Sequence, residues 1–218
     1  MWSVVEICNI ALAGIRGKSI NSLTEPSLAA QQCKLHYDLA RKFVLQDTDW
    51  QFARKTLPLA LTTVEPLQWV FGYAYPTDCL QIRHVTGDWA FKGSVDTDFA
   101  NRQRYIDEFI EPELDIPYEV FNDGSNNKII GCDQNEAYII YTANIIDSTL
   151  FNGQLVTALA HYLGSMIAIP IMGGDIGLKM QQKELQLYSA TLSAAVASNM
   201  NEQRQPNRKE PGLVTMRK

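Results

Sequence analysis

Val4, Ile7, Cys8, Ala11 and Ile15 recur at helical spacing, which predicts one apolar face of a short helix ended by Gly14 and Gly17. Residues 18–25 are polar and read as a loop. Pro26 then stands where the first turn of a helix tolerates it, with Thr24 as a candidate cap. From Ser27 the stripe Leu28, Leu35, Leu39 and Phe43 predicts the packed face of a second helix, with Cys33, Tyr37, Ala40 and Val44 as a flanking row. An apolar arc that broad implies contact on more than one side.

The pattern changes after Trp50. Residues 56–62 and 69–75 are β-branched, aromatic and alternating, which predicts strands, with Pro58 at an edge or a strand start. Residues 80–86 predict another. Residues 87–117 are weakly patterned and acidic, and read as a long loop of the kind that serves function or meets a partner. Residues 118–121 and 128–132 flank Asn122-Asp123-Gly124-Ser125-Asn126-Asn127, a hairpin-turn composition, and 138–141 closes the β region. Leu155, Ala158, Leu159, Tyr162, Leu163, Met166 and Ile167 then match the helical template at every step. Pro170 and Gly173-Gly174 are expected to stop that helix, and Asp175 to cap the next. The last helix runs to about residue 203, on the order of 40 Å, with Met180, Leu187, Tyr188, Thr191, Leu192 and Ala195 on one face. Its second half is mostly alanine, serine and threonine, which permits close approach but gives little burial.

These elements predict an α+β fold. Residues 1–55 and 150–203 form an antiparallel-type α-helical bundle of two N-terminal and two C-terminal helices. Residues 56–149 form a central β-rich insert, and 204–218 an extended C-terminal tail.

Composition sharpens the reading of the tail. The chain has 218 residues, 46% apolar and 20% charged, as an ordinary globular protein does. Its net charge is −5, but Arg204, Arg208, Lys209, Arg217 and Lys218 face only Glu210 in the tail, so the body before the tail carries −9. An acidic body argues against a nucleic-acid-binding surface there, whereas a basic tail suits an acidic or phosphate-rich partner. With two prolines, one glycine and little apolar surface, the tail cannot offset its own ordering cost and is expected to be held by something else. Leu213, Val214 and Met216 are its candidate apolar anchors. Cys8, Cys33, Cys79 and Cys132 form no CxxC pair and read as reduced thiols rather than a zinc site. No apolar run is expected to reach the roughly 18 residues of a membrane span, because residues 162–172 are interrupted by Gly164 and Pro170. The N-terminus opens directly in a helical pattern, so no targeting peptide is expected.

Little in the chain points to chemistry. His36, His84 and His161 fall on separate elements with no metal-binding spacing. Asp47/Asp49, Asp96/Asp98 and Glu111/Glu113 pair carboxylates at i, i+2, but nothing selects one pair to flank a scissile bond. There is no GxSxG and no phosphate loop; Met172-Gly173-Gly174-Asp175 lacks a lysine and reads as a helix-to-helix turn. The aromatics Trp50, Phe52, Trp69, Phe71, Tyr73 and Tyr75 could stack on single-stranded nucleic acid, but only Arg54 and Lys55 accompany them, which favours a hydrophobic core joining bundle to insert. No catalytic, cofactor-binding or metal-ligating residue is expected.

The order of several segments is distinctive. Asn9-Ile10-Ala11-Leu12 is followed by a glycine, then by Ser22-Leu23 with Glu25 and Ser27. A helix with Cys33, Tyr37, Asp38 and Arg41 leads to Trp50-Gln51-Phe52-Ala53-Arg54, Leu57-Pro58-Leu59, the aromatic block 69–75, and Pro76-Thr77-Asp78-Cys79-Leu80. An alanine- and leucine-rich helix, a proline and a second long helix complete the series. To about residue 203 this resembles the head-to-tail adaptor proteins of short-tailed bacteriophages, the tail tubular protein A family. The resemblance implies a structural protein of the virion neck, made in the host cytoplasm, in a ring of typically twelve copies. Such a ring joins the portal protein to a tail nozzle of the tail tubular protein B kind and leaves a channel for DNA, with no cofactor and no membrane. C-terminal segments of that family reach onto the portal. By its position and basic composition, not by a matching motif, the tail here is expected to bind the portal through Arg204, Arg208, Lys209, Leu213, Val214, Met216, Arg217 and Lys218. The alternative expectation is a virion-associated cell-wall-degrading enzyme, which would need a cleft with converging carboxylates.

Overall fold

The computed structural model describes residues 1–64, 66–87 and 116–202, with side chains to residue 197. The tail with its eight portal-binding candidates, most of the acidic loop, and the pairs Asp96/Asp98 and Glu111/Glu113 lie outside the described residues. The described chain is mixed helix and sheet, with four helices and two small antiparallel sheets. It forms two compact units, one of Trp2–Tyr37 with the described residues from Asn152 onward, the other of Asp38–Phe151 with Met1.

Helix α1 spans Val4–Gly14 and opens on a capping box: the Glu6 amide donates to Ser3 Oγ and Glu6 Oε2 accepts from the Ser3 amide at 2.7 Å. Ile7, Cys8, Ala11 and Leu12 face inward, and Ile15 is buried just beyond. Helix α2, Leu28–Asp47, contributes its first part to this unit and the rest to the other. Ser27 Oγ, not Thr24, accepts from its first turn, at the Ala30 amide. The predicted face of α2 is corrected. Leu28, Leu35, Leu39 and Phe43 are 40–68% exposed, while Ala30, Cys33, Ala40, Arg41, Val44 and Leu45 are buried. The smaller flanking row lets neighbours approach closely, so it packs and the leucines stay outside.

Helix α3, Gly153–Met172, starts at Asn152, whose Oδ1 accepts from the Leu155 amide. It runs unbroken through Pro170, against the expectation that this residue stops it, and ends at Met172, where Gly173-Gly174 are expected to end it. The apolar stretch is therefore longer than Gly164 and Pro170 suggest. Pro170 lies in the last turn, so only Ile171 and Met172 follow the bond it cannot make and little helix is left to kink. By length and composition α3 could cross a membrane, but 56% of its most apolar window is buried in the protein, as in a core helix. Gly173 and Gly174, at φ 68° and 45°, turn the chain into helix α4, Gly174–Glu202. Asp175 therefore lies within the first turn of α4 rather than capping it. The hairpin is antiparallel: Gly177 lies against Ile169, Glu184 meets His161, and Tyr188 meets Tyr162 with ring centroids 5.1 Å apart. The inward positions of α4, Gly177, Gln181, Glu184, Tyr188, Thr191 and Ala195, alternate by fours and threes, the seam of two supercoiled helices.

The other unit holds two three-stranded sheets. The strands are β1 (Arg54–Pro58), β2 (Phe71–Ala74), β3 (Cys79–Thr86), β4 (Tyr118–Asn122), β5 (Lys128–Cys132) and β6 (Tyr138–Ala143). Their orders are β1-β6-β3 and β2-β5-β4, all antiparallel. Pro58 ends β1, an edge strand, where a missing donor breaks no ladder. The 122–127 turn joins β4 to β5 with Asn122 opposite Lys128, and Asp123 Oδ1 accepts from the Ser125 and Asn127 amides. Tyr73, Ile130 and Cys132 from one sheet share a core with Ile82, Val85, Ile139 and Tyr141 from the other.

Two arginines fasten the second part of α2 to this β core. Arg41, 2% exposed, donates to Asn144 Oδ1 at 2.7 Å and the Ile145 carbonyl at 2.6 Å, and pairs with Asp38. Arg83 donates through Nη2 to the Gln46 and Thr48 carbonyls at 2.8 and 2.9 Å, which satisfies the end of α2.

Two measurements test this packing. A Cβ at Gly177 would stand 2.9 Å from the Ile169 Cα, so Gly177→Ala is expected to cost about 1–3 kcal/mol in urea unfolding, whereas Gly153→Ala, with open space around it, is near neutral. Arg41→Met leaves the half-buried acceptors on Asn144 and Ile145 unpaired and is expected to cost about 1–3 kcal/mol, with incomplete rescue by Arg41→Lys.

Candidate functional site

The side chains that the sequence offers for chemistry do not converge among the described residues. His36, His84 and His161 stand on α2, β3 and α3, and no group of three metal-ligating side chains occurs there. Asp49 is committed to an ion pair with Arg54. The aromatic concentration divides. Trp50 is fully buried, donates Nε1–H to the Val44 carbonyl at 2.8 Å, and begins a row through Phe52 to Phe151. Tyr73 is buried in the β core with Phe71 and Tyr75 partly buried against it, and Trp69 Nε1 donates to Glu119. Buried rings of this kind belong to cores, not stacking platforms.

One cavity of about 670 Å³ opens on the β unit, between the 62–64 loop, the β2–β3 turn and the β4–β5 hairpin. Its polar lining includes Tyr75, Cys79, Asn127, the Asp123 carboxylate and the Lys128 ammonium, together with threonines. Lys128 Nζ lies 5.1 Å over the Tyr75 ring. Burial pushes the Cys79 thiol up and the Tyr75 phenol far up, so both are protonated at neutral pH. A protonated thiol is a poor nucleophile, so the cavity can hold a group but is not set to attack one. Beside it, Asp78 receives Lys55 Nζ at 2.6 Å and the Tyr141 hydroxyl at 2.8 Å. The Lys55 ammonium, helped by Tyr141, holds the Asp78 carboxyl below its usual range.

In the helical unit, Glu184 is a buried carboxylate that sequence reading passed over. It is 1% exposed, and its Oε2 lies 2.7 Å from His161 Nδ1. Lys183 Nζ stands 3.4 Å from Oε1 and also donates to the Gly14 carbonyl. Gly14 and Gly164 leave it room: a Cβ at either would stand 2.9 or 3.5 Å from a carboxylate oxygen. Its place in the four-three seam was the available signal.

This unit also carries large apolar side chains outward among its polar ones. One residue on from the packed seam of α4, about 100° around the helix, Leu178, Leu185 and Leu192 repeat at heptad spacing, with Val196 four residues beyond. Leu178, Leu185 and Val196 are 42–47% exposed. With Leu28 and Leu35 of α2 they give the unit two helical faces carrying large apolar side chains into solvent, more than an isolated subunit needs. Nearby, the chain leaves α1 through a left-handed Arg16 at φ 61°, with Gly17 N donating to Leu12 O at 2.7 Å. A side chain in that conformation costs about 1–2 kcal/mol, which glycine would avoid. Asn9 holds the next turn by bonding both the amide and the carbonyl of Ile20.

No family model matches the chain, and a search of the curated proteins finds no match.

The Asp78 cluster sets a pH dependence. Its folded-state carboxyl lies below the unfolded value of about 3.9, so its contribution is fully present above that value and lost as pH falls through the folded one. Asp78→Asn is expected to lower the urea midpoint at pH 7 and to lower it less at pH 3, read by tryptophan fluorescence.

Proposed function

We propose that the chain is a connector subunit, a non-enzymatic structural protein of the neck of a short-tailed bacteriophage. In this reading it forms a homo-oligomeric ring, of about twelve copies by the family resemblance, that joins the portal to the tail nozzle and surrounds the path of the DNA. The helices act as the antiparallel-type bundle that builds the ring, and the tail reaches onto the portal.

The observation that carries the reading is the second apolar seam of α4. A helix already packed along one heptad stripe that bears another in solvent is built to meet a further helix. Rings repeat one modest contact many times, so stripes of this size suffice. The net charge of −9 before the tail also suits a conduit, since a wall of the same sign as phosphate does not retain DNA.

Sedimentation and negative-stain microscopy of the purified chain test it. The wild type is expected to give rings alone or with the portal protein. Leu178→Asp with Leu185→Asp is expected to leave helical content unchanged and to reduce assembly at least tenfold. Removal of residues 204–218 is expected to leave a folded chain that no longer co-sediments with the portal. A chain that stays monomeric at all concentrations and with the portal present overturns the reading.

A further inference from the structure

The end of the helical unit near the α1–α2 connection carries charge with no counterpart. A cleft of about 520 Å³ lies there. Arg16 and Lys18 line its rim, and Ile20, Leu28, Ile171 and Met172 its apolar part. Both cations are exposed, and among the described residues neither has an ion-pair partner. The acid on the lining, Glu25, is occupied, since its Oε1 accepts from the Asn21 and Ser22 amides at 2.7 and 3.2 Å. Arg16 keeps a strained backbone that Gly17, next in the chain, would adopt freely. The N-terminus of α2, opening at the same cleft, adds positive potential.

An occupant should therefore be anionic and bear large apolar side chains. The basic C-terminal tail has the wrong sign. The chain does contain a segment of the right kind. Residues 107–115 read Asp-Glu-Phe-Ile-Glu-Pro-Glu-Leu-Asp, five carboxylates around Phe109, Ile110 and Leu114 with no base among them. We infer that residues 107–115 of a second copy dock in the Arg16–Lys18 cleft. This rests on the ring reading above and names one contact within it. The contact is heterologous, because cleft and segment are different parts of one chain, so each copy offers one half to each neighbour, as ring closure requires.

Two experiments test it. A labelled peptide of residues 105–117 is titrated with the full-length protein, followed by fluorescence anisotropy. Binding is expected to weaken at least tenfold with Arg16→Glu plus Lys18→Glu, and to weaken as salt is raised. In the second, the cleft variant and a segment variant, Glu111→Lys plus Glu113→Lys, are sedimented alone and mixed. Each alone is expected to assemble poorly, and the equimolar mixture to recover assembly, because each supplies the complement of the other. Recovery only when all four changes share one chain, and not in the mixture, places the contact within a copy and overturns the inference. Wild-type assembly that neither variant alters overturns it while leaving the ring reading intact. Specific peptide binding by a chain that never assembles upholds the recognition and sinks the ring.

Discussion

The helical unit turns on one buried carboxylate. Glu184 enters the seam where α1, α3 and α4 meet, a place that otherwise wants an apolar side chain. Three features make it tolerable: the His161 imidazole at 2.7 Å, the Lys183 ammonium, and two glycines that clear the space around it. Taking a carboxylate out of water is expensive, and removing one partner of such a pair typically costs about 3–5 kcal/mol. A buried polar pair across two helices also sets register, because sliding α4 by one residue would separate Glu184 from His161 on α3. With Glu184 and Tyr188 turned into the packed seam, the stripe one residue on, which includes Leu178 and Leu185, is left facing solvent.

The β unit solves a similar problem with guanidinium groups. Arg41 satisfies two acceptors just after β6, and Arg83 closes the carbonyl end of α2. In both cases a planar, permanently charged donor binds several oxygens at once, which an ammonium cannot do in the same geometry.

Local signals were legible in the sequence, and long-range ones were not. The 122–127 turn declares itself through its own asparagines and glycine, and strand 128–132 appears where alternation puts it. The face of α3 follows from spacing, since most of the predicted positions are buried. Ser3 and Glu6 spell out a capping box that the helical spacing alone did not reveal. The face of α2 was misread because hydrophobicity ranks leucine above cysteine and alanine, whereas packing at close range favours the smaller side chains. Pro170 signals a break, but only Ile171 and Met172 follow it, so the kink a proline imposes has almost no helix left to redirect. Arg41, Arg83 and Glu184 gave no isolated signal, because the contacts that tie them to other elements, Ile145, Gln46 and His161, lie 23 to 104 residues away. The sequence located its portal-binding candidates in a tail beyond the described residues, and the surfaces that emerged instead are the α4 stripe and the cleft beside Arg16.

The division of the chain has a consequence for biosynthesis. The unit that holds α1 draws on both ends of the chain, and its first 37 residues find their partners only after Asn152 has left the ribosome. Strand β6 likewise completes the first sheet, setting Thr142 against an Arg54 made long before. Contacts so distant in sequence slow folding and leave early segments exposed while they wait. The nascent N-terminal helices, with Ile7, Leu12 and the outward leucines of α2, are then natural clients for a chaperone, and expression at low temperature should favour soluble yield.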